Sequence, residues 1–412
     1  MRLGSSSNPA IFALIAAALL QHQTAGAQGK IGAEYPHHVD FAVLEESGVD
    51  RENEPVRIEF PFPAGVTKTG ACMLIHQGKA KPVPLQCEAA GDGHRFQILF
   101  LASQAAGSRA SYRLYFGART ARSESADALK VSGDDLAWRV ENRFLIADFT
   151  PNPGTGRSGQ LNKIFLKNPG IWLSRERPQS TLHLSPNAAG SEHYVPVNRW
   201  NPPDKWRVCR GPLSFRLERE GPMPKMPELL VRVVYEVFAG SGAIAVEEQF
   251  HATRDVDVSL LRVGEFTFAP DPQNPFTHIA WAQGDEFAVR PRFEVPPLTM
   301  QIPWMAFISA RSGFAFASVL EKLDLLPTGS PAPLLNQASS FGGRPPHYFF
   351  RSFIAPAGES DSRMLKVAAG STYFIRHWIY TVTWAGDTEE KLARRISDFA
   401  RKVRAPLRCS TL

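Results

Sequence analysis

The pattern of apolar and polar positions is clearest between Leu229 and Pro270. There, three runs rich in Val, Ile, Leu, Phe and Tyr are separated by Ala239-Gly240-Ser241-Gly242 and by Thr253-Arg254-Asp255-Val256-Asp257. β-Branched and aromatic residues suit a pleated, half-buried surface. The Ala-Gly-Ser-Gly turn tolerates positive φ, so the first two runs are expected to form an antiparallel hairpin. In the second run Ile244, Val246 and Phe250 fall on one face, while Ala245, Glu247, Gln249 and His251 fall on the other. Side chains alternate sides along a strand, so one face is built to be covered and the other to meet water or a ligand. The expectation is the centre of a large antiparallel sheet.

Before this stretch, short apolar runs bounded by Pro and Gly at Val56–Phe60, Ala71–His76, Arg95–Leu101 and Ser111–Phe116 predict an N-terminal β-sandwich domain over 28–125. The charged and small residues of 118–135 break that pattern and mark a boundary near residue 125. A second, larger β region is expected over 126–385. Within it, Pro186–Trp206 contains four prolines and several Gly, Asn and Ser residues, which exclude a central strand or helix. Further strands are expected over Thr277–Val289, Met305–Leu320, Tyr348–Ala355 and Thr372–Trp384. The last segment, 386–412, holds one convincing helix. Asp387 or Thr388 would cap it, and Glu389 and Glu390 sit where the helix dipole favours anions. Leu392, Ile396, Phe399 and Val403 form one apolar stripe, and Pro406 ends the helix.

Composition adds location. Met1–Ala27 carries a single charge at Arg2, a short apolar core over Pro9–Leu20, and a small-residue cleavage site at Ala25-Gly26-Ala27. This reads as a secretory signal peptide, so the protein is expected to be secreted or periplasmic. A membrane span needs roughly 20 apolar residues, which this core does not reach. Export permits disulfides among Cys72, Cys87, Cys209 and Cys409. Cys72 and Cys87 flank a hairpin and would bridge locally, and Cys209 with Cys409 would tie the tail to the main sheet. Four cysteines allow three pairings and the sequence does not choose. The net charge of +6 is compatible with an acidic glycan and equally with solubility alone, and no lysine-rich block suggests nucleic acid. No cofactor or metal motif is present, with a structural calcium left open.

No GxSxG, P-loop, dinucleotide fingerprint or HExxH occurs. The most suggestive group is Glu192, His193 and Tyr194 with Asn198, Arg199, Trp200 and Trp206, in the irregular segment. Aromatic faces stack on sugar rings, Arg and Asn hold hydroxyls or a carboxylate, and a His–Tyr pair supplies a base and an acid. The alternative is a loop anchored by its own aromatics. Arg344, His347 and Tyr348, with Arg351, repeat the chemistry after Pro345-Pro346, where packing competes as an explanation. Arg232, Glu236, Glu247, Gln249, His251 and Glu265 would form a ligand-facing floor if their face is a groove, with His278 and Trp281 completing a groove wall, and an ordinary charged strand face if it is simply solvated. Glu236, Glu247, Glu248 and Glu265 are eligible as glycosidase carboxylates, but the sequence gives no separation. Elimination from a uronate suits the Arg, Asn, His and Tyr inventory better.

The phrases VRIEFPFPAGV, ILFLASQAAGSRASYRLYFG, VENRFLIADFTPNPGTGRSGQLNKI and LLVRVVYEVFAGSGAIAVEEQFHAT resemble the β-rich part of exo-acting rhamnogalacturonan lyase-like proteins. They also resemble the β-supersandwich domains related to galactose mutarotase. The resemblance covers roughly residues 55 to 270 and carries no catalytic motif. It implies an exported carbohydrate-active protein with a mainly β fold: a sandwich followed by an antiparallel β-supersandwich with a sugar-binding sheet face. The resulting expectation is a polysaccharide lyase acting on acidic glycans, with His193 and Tyr194 as base and acid and Arg199 and Asn198 neutralising the carboxylate. Trp200 and Trp206 would be ring platforms. The rivals are a non-catalytic carbohydrate-binding module and a structural envelope protein.

Overall fold

In a computed structural model, the described residues are 35, 37–61, 72–77, 82–89, 95–117, 129–149, 157–173, 181–183, 194–268, 276–292, 302–326, 334–341, 347–354, 364–383, 386 and 388–411. The expected signal peptide lies outside them. The fold is mainly antiparallel β with one C-terminal helix, and the chain divides into two compact units, 1–128 with 405–412 and 129–404.

The first unit is a sandwich. Its strands are β1 (His37–Leu44), β2 (Arg51–Pro61), β3 (Cys72–His76), β4 (Pro82–Val83), β5 (Leu85–Ala89), β6 (Arg95–Gln104) and β7 (Arg109–Phe116). One sheet runs β1-β7-β3-β4 and the other β2-β6-β5. Alternate residues such as Phe41, Leu74, Ile98, Phe100 and Leu114 fill the space between the sheets as one apolar core. The strand Arg408–Thr411, at the far end of the chain, pairs with β1 and completes the five-stranded sheet. All four cysteines are thiols. The expected Cys72–Cys87 and Cys209–Cys409 bridges are therefore not formed in this structure.

The second unit opens with a five-stranded meander: β8 (Lys130–Asp134), β9 (Ala137–Glu141), β10 (Leu145–Asp148), β11 (Lys163–Leu166) and β12 (Ile171–Leu173). After β13 (Thr181–His183) and β14 (Tyr194–Pro196) come β15 (Lys205–Arg210), β16 (Ser214–Met223), β17 (Met226–Phe238) and β18 (Ala243–Ala252). Next are β19 (Val256–Val258), β20 (Leu260–Phe268), β21 (His278–Gln283), β22 (Glu286–Pro291), β23 (Trp304–Ser309) and β24 (Phe314–Leu326). The unit ends with β25 (Leu334–Phe341), β26 (His347–Ile354), β27 (Leu365–Val367), β28 (Thr372–Thr383) and the helix α1 (Glu389–Arg404), before the tail strand β29 (Arg408–Thr411).

A nine-stranded sheet, β15-β16-β17-β18-β28-β24-β23-β21-β22, is the frame of this unit. The expected hairpin is β17–β18, with Val237 paired to Ile244. Its turn does not use positive φ at any of residues 239–242. Asn142 holds the turn instead, its amide donating to the Phe238 and Ser241 carbonyls at 2.8 Å each. A Cβ at Gly242 would meet Thr381 Oγ1 at 3.4 Å and Phe144 Cβ at 3.6 Å, which are ordinary contact distances, so this glycine is not dictated by space. The third run, β20, was expected to extend this sheet. It belongs instead to a facing sheet, β14-β13-β20-β26-β25, and the neighbour of β18 is β28.

The underside of the large sheet is covered. Phe149 packs on Phe215 and Tyr235 beneath β16 and β17, while Phe266 and Phe350 pack on Phe316 beneath β24. The upper side is divided. Helix α1 lies over its β21–β24 end, where Phe399 stacks on Tyr380 at 3.9 Å and meets Trp378 edge-on. Across β16, β17, β18 and β28 the upper side carries charged and polar side chains.

Candidate functional site

Strand alternation and register bring those charges into one row. Glu218 on β16, Arg232 on β17, Glu247 on β18, Arg376 on β28 and Glu321 on β24 project from the upper face of five adjacent strands. The Arg232 Nε donates to Glu218 Oε1 at 2.7 Å, and its Nη1 lies 3.5 Å from Glu247 Oε2. Arg376 bridges Glu247 at 3.4 Å and Glu321 at 3.1 Å, and Arg216 flanks Glu218 at 3.6 Å. These side chains are between 20% and 27% exposed, so the row is accessible yet shielded from full hydration.

The environment tunes the row unevenly. Burial opposes ionisation of Glu218, but the Arg232 hydrogen bond and the charges of Arg232, Arg216 and Arg207 outweigh it and hold the carboxyl below its ordinary range. Glu321 is the opposite case. Burial raises it, the nearby Glu247 adds to the rise, and Arg376 with the Trp378 indole N–H (2.5 Å) offsets only part. Glu321 occupies a bulge between Leu320 and Lys322. A bulge re-aims side chains, here sending both Glu321 and Lys322 to the upper face, where Lys322 Nζ sits 5.5 Å from the Phe374 ring centre. A carboxyl whose titration is raised by burial can give a proton as well as accept hydrogen bonds. Glu321 was absent from the sequence-based candidates because a regular alternation does not reveal a bulge.

The structure distributes the other expected site residues as follows. Gln249 and His251 are half-buried on the upper face, in line with Glu247, and His251 Nδ1 is 3.2 Å from Thr372 Oγ1. Arg232 and Glu247 are in the row itself, and Glu236 is buried on the same face opposite Arg216. Glu265 is a correction: it lies on β20 of the facing sheet, 3% exposed and ion-paired with Arg262 at 2.6 Å. Glu248 points to the underside and is 1% exposed. His278 and Trp281 do not form a wall together, since they are three residues apart on one strand and face opposite ways. His278 lies 3.4 Å from Glu389 at the start of α1. Tyr348 is fully buried among Phe276 and Phe307 with Arg292 bonded to its hydroxyl, which is the packing alternative rather than a ligand contact.

The irregular segment meets the underside of the sheet. Trp200 is buried, donates its indole N–H to the Pro222 carbonyl at 2.7 Å, and stands 5.5 Å from the Arg219 guanidinium. A Cβ at Gly221 would stand 3.4 Å from the indole Nε1, an ordinary contact, and 3.1 Å from the Asp204 backbone nitrogen, which is the tighter of the two. Arg219 is wholly buried, donating to the Ser158 carbonyl at 2.6 Å and to the Tyr235 hydroxyl at 3.0 Å. Burial lifts the Tyr235 hydroxyl to about 12 despite that cation. Trp200 is thus an anchor and not a ring platform. Asn198 is buried in a single 3-10 turn, Arg199 is exposed at the end of that turn, and Trp206 is 40% exposed on the edge strand β15. His193, Arg344 and the side chains of Tyr194, His347 and Arg351 lie outside the described residues. Among the described residues no cluster of three or more His, Cys, Asp or Glu is placed to hold a metal, and no helix is long and apolar enough to cross a membrane.

The fold so defined, a multi-sheet antiparallel architecture, is similar to that of several solved structures. A glycosyl hydrolase family 38 protein from Enterococcus faecalis aligns over 91% of this chain with TM-score 0.55 and 11% identity. An α-mannosidase from Enterococcus faecalis aligns over 91% with TM-score 0.54 and 11% identity. This chain spans about half of their length, 47% and 46%. A galactose mutarotase-like protein from Lactobacillus casei aligns over 59% of this chain and 99% of its own, with TM-score 0.37 and 10% identity. No protein-family model and no curated sequence matches the chain.

Proposed function

We propose that this is an exported carbohydrate-binding protein whose ligand floor is the upper face of the nine-stranded sheet. The observation that carries the reading is the row Glu218–Arg232–Glu247–Arg376–Glu321. Neighbouring strands stand about 4.8 Å apart, so the row offers donors and acceptors in alternation at that spacing. Sugar hydroxyls are both donors and acceptors and match such a surface, while Phe374 supplies an apolar face beside it. Each arginine of the row lies among carboxylates, so the floor is balanced in charge and suits hydroxyl recognition first. The kinship of fold with an α-mannosidase supports the same class of ligand.

The test is calorimetry of the purified chain against neutral and uronate-containing polysaccharides, with Arg376→Gln alongside. Hydrogen bonds to charged groups contribute roughly 1.5–3 kcal/mol, so the substitution is expected to weaken binding about tenfold or more. Unchanged affinity in that variant, or no glycan bound at all, would sink the proposal.

A second reading, lyase action on an acidic glycan, rests on Arg199, exposed on the 3-10 turn, and on the exposed Trp206 close by in sequence. Arg199 and Asn198 would neutralise a uronate, with His193 and Tyr194 as base and acid. Its test is the ultraviolet absorbance of an unsaturated uronate after incubation with pectin-like polymers, abolished in His193→Ala. Binding without that absorbance leaves the floor as a recognition surface only.

A further inference from the structure

The first unit holds two thiols that meet from opposite sheets. Cys72 begins β3 opposite Phe116, in the five-stranded sheet, and Cys87 sits on β5 opposite Ile98, in the three-stranded one. Both pack against the same apolar core. The Cys87 thiol hydrogen-bonds the Cys72 sulfur, so the two sulfurs meet across the interface between the sheets. Both residues are half-buried, which leaves a route for a small reagent. This pair is independent of the polar floor of the second unit.

We propose that Cys72 and Cys87 form an inter-sheet dithiol that closes to a disulfide by exchange with an organic disulfide. The partners are unequal. Donation from Cys87 favours the Cys72 thiolate and draws its titration down, while Cys87 is pushed up by holding that proton and by burial. Cys72 is then the attacking sulfur, since the thiolate is the nucleophile. Its sulfur bonds to one sulfur of the donor disulfide and releases the other as a thiolate. Cys87 loses its proton, attacks the Cys72 sulfur, and expels the second donor thiolate. The protein gives up two electrons, the donor becomes two thiols, and the two protons end on them. Cys409, in the same core, is the contrast: burial raises its thiol to about 12, which keeps it protonated and inert.

The experiment treats the full chain with oxidised glutathione, alkylates it under denaturing conditions without reduction, and maps the cysteines by peptide mass spectrometry. The expected result is a Cys72–Cys87 linked peptide, with Cys209 and Cys409 alkylated. In Cys87→Ser the first step has no second, so Cys72 is expected to accumulate as its glutathione mixed disulfide. In Cys72→Ser, Cys87 is expected to stay a thiol. Full alkylation of both Cys72 and Cys87 in the wild-type chain, or linkage of either to Cys209 or Cys409, overturns the proposal. The wild-type map decides the matter even where a variant fails to fold.

Discussion

Single residues set the chemistry of the second unit through their surroundings. His377 is the clearest case for a pH effect. It points to the covered side of β28, its Nδ1 lies 3.2 Å from Ser318 Oγ, and burial lowers its titration to about 4 from the ordinary 6.5. The folded state therefore resists a proton that the unfolded state accepts. Stability from this group is fully present above pH 6.5 and is lost as pH falls toward 4. The displacement corresponds to at most about 3 kcal/mol. Urea titrations of the second unit at pH 7 and pH 4.5 are expected to differ accordingly, and His377→Gln is expected to remove most of that difference. An equal loss in the variant would show that other groups are responsible. Alternation along β28 assigns His377 to the same face as Ile375 and Ile379, but the depth of its burial depends on the sheet packed beneath.

At the scale of elements, helix α1 is the part whose origin is most local. Thr388 Oγ1 accepts from the Lys391 N–H at 3.4 Å, Glu389 and Glu390 occupy the first turn, and Leu392, Ile396 and Val403 are buried as the apolar stripe requires. Ile396 is fully buried against the sheet, so Ile396→Ala is expected to cost about 2–4 kcal/mol, read from the denaturant midpoint. Thr388→Ala is expected to cost about 1 kcal/mol. A change below roughly 0.5 kcal/mol for Ile396→Ala would mean that the helix is not docked on its stripe. The strands themselves were equally legible, with the cores of β2, β6, β7, β17 and β18 falling where the apolar runs lie. β20 was legible as a strand and not as a member of the facing sheet, because nothing in its own pattern names its partner.

On the scale of the molecule, the chain's last strand belongs to the unit in which the chain begins. β29 pairs with β1, Phe41 opposite Thr411, and Arg51 bonds the Ala405 carbonyl. Removing residues 405–412 would leave the β1 edge unpaired. The first unit is then expected to melt earlier and its β1 amides to exchange faster with deuterium. All eight tryptophans, from Trp138 to Trp384, lie in the second unit, so the tryptophan fluorescence transition is expected to stay where it is. A shift of that transition with unchanged exchange in β1 would contradict the division of labour.

The sequence by itself determined which segments are strands, which side of each is apolar, and how the helix begins and ends. Those properties have periods of two or about four residues and are written within each segment. Only the tertiary structure decided that β18 lies beside β28, more than a hundred residues away, and that Trp200 and Arg219 close the underside of the sheet. It likewise decided that a bulge turns Glu321 into the row with Arg376 and Glu247. The identity of a strand's neighbour, and of what covers each of its faces, comes from long-range packing, for which a local alternation carries no address.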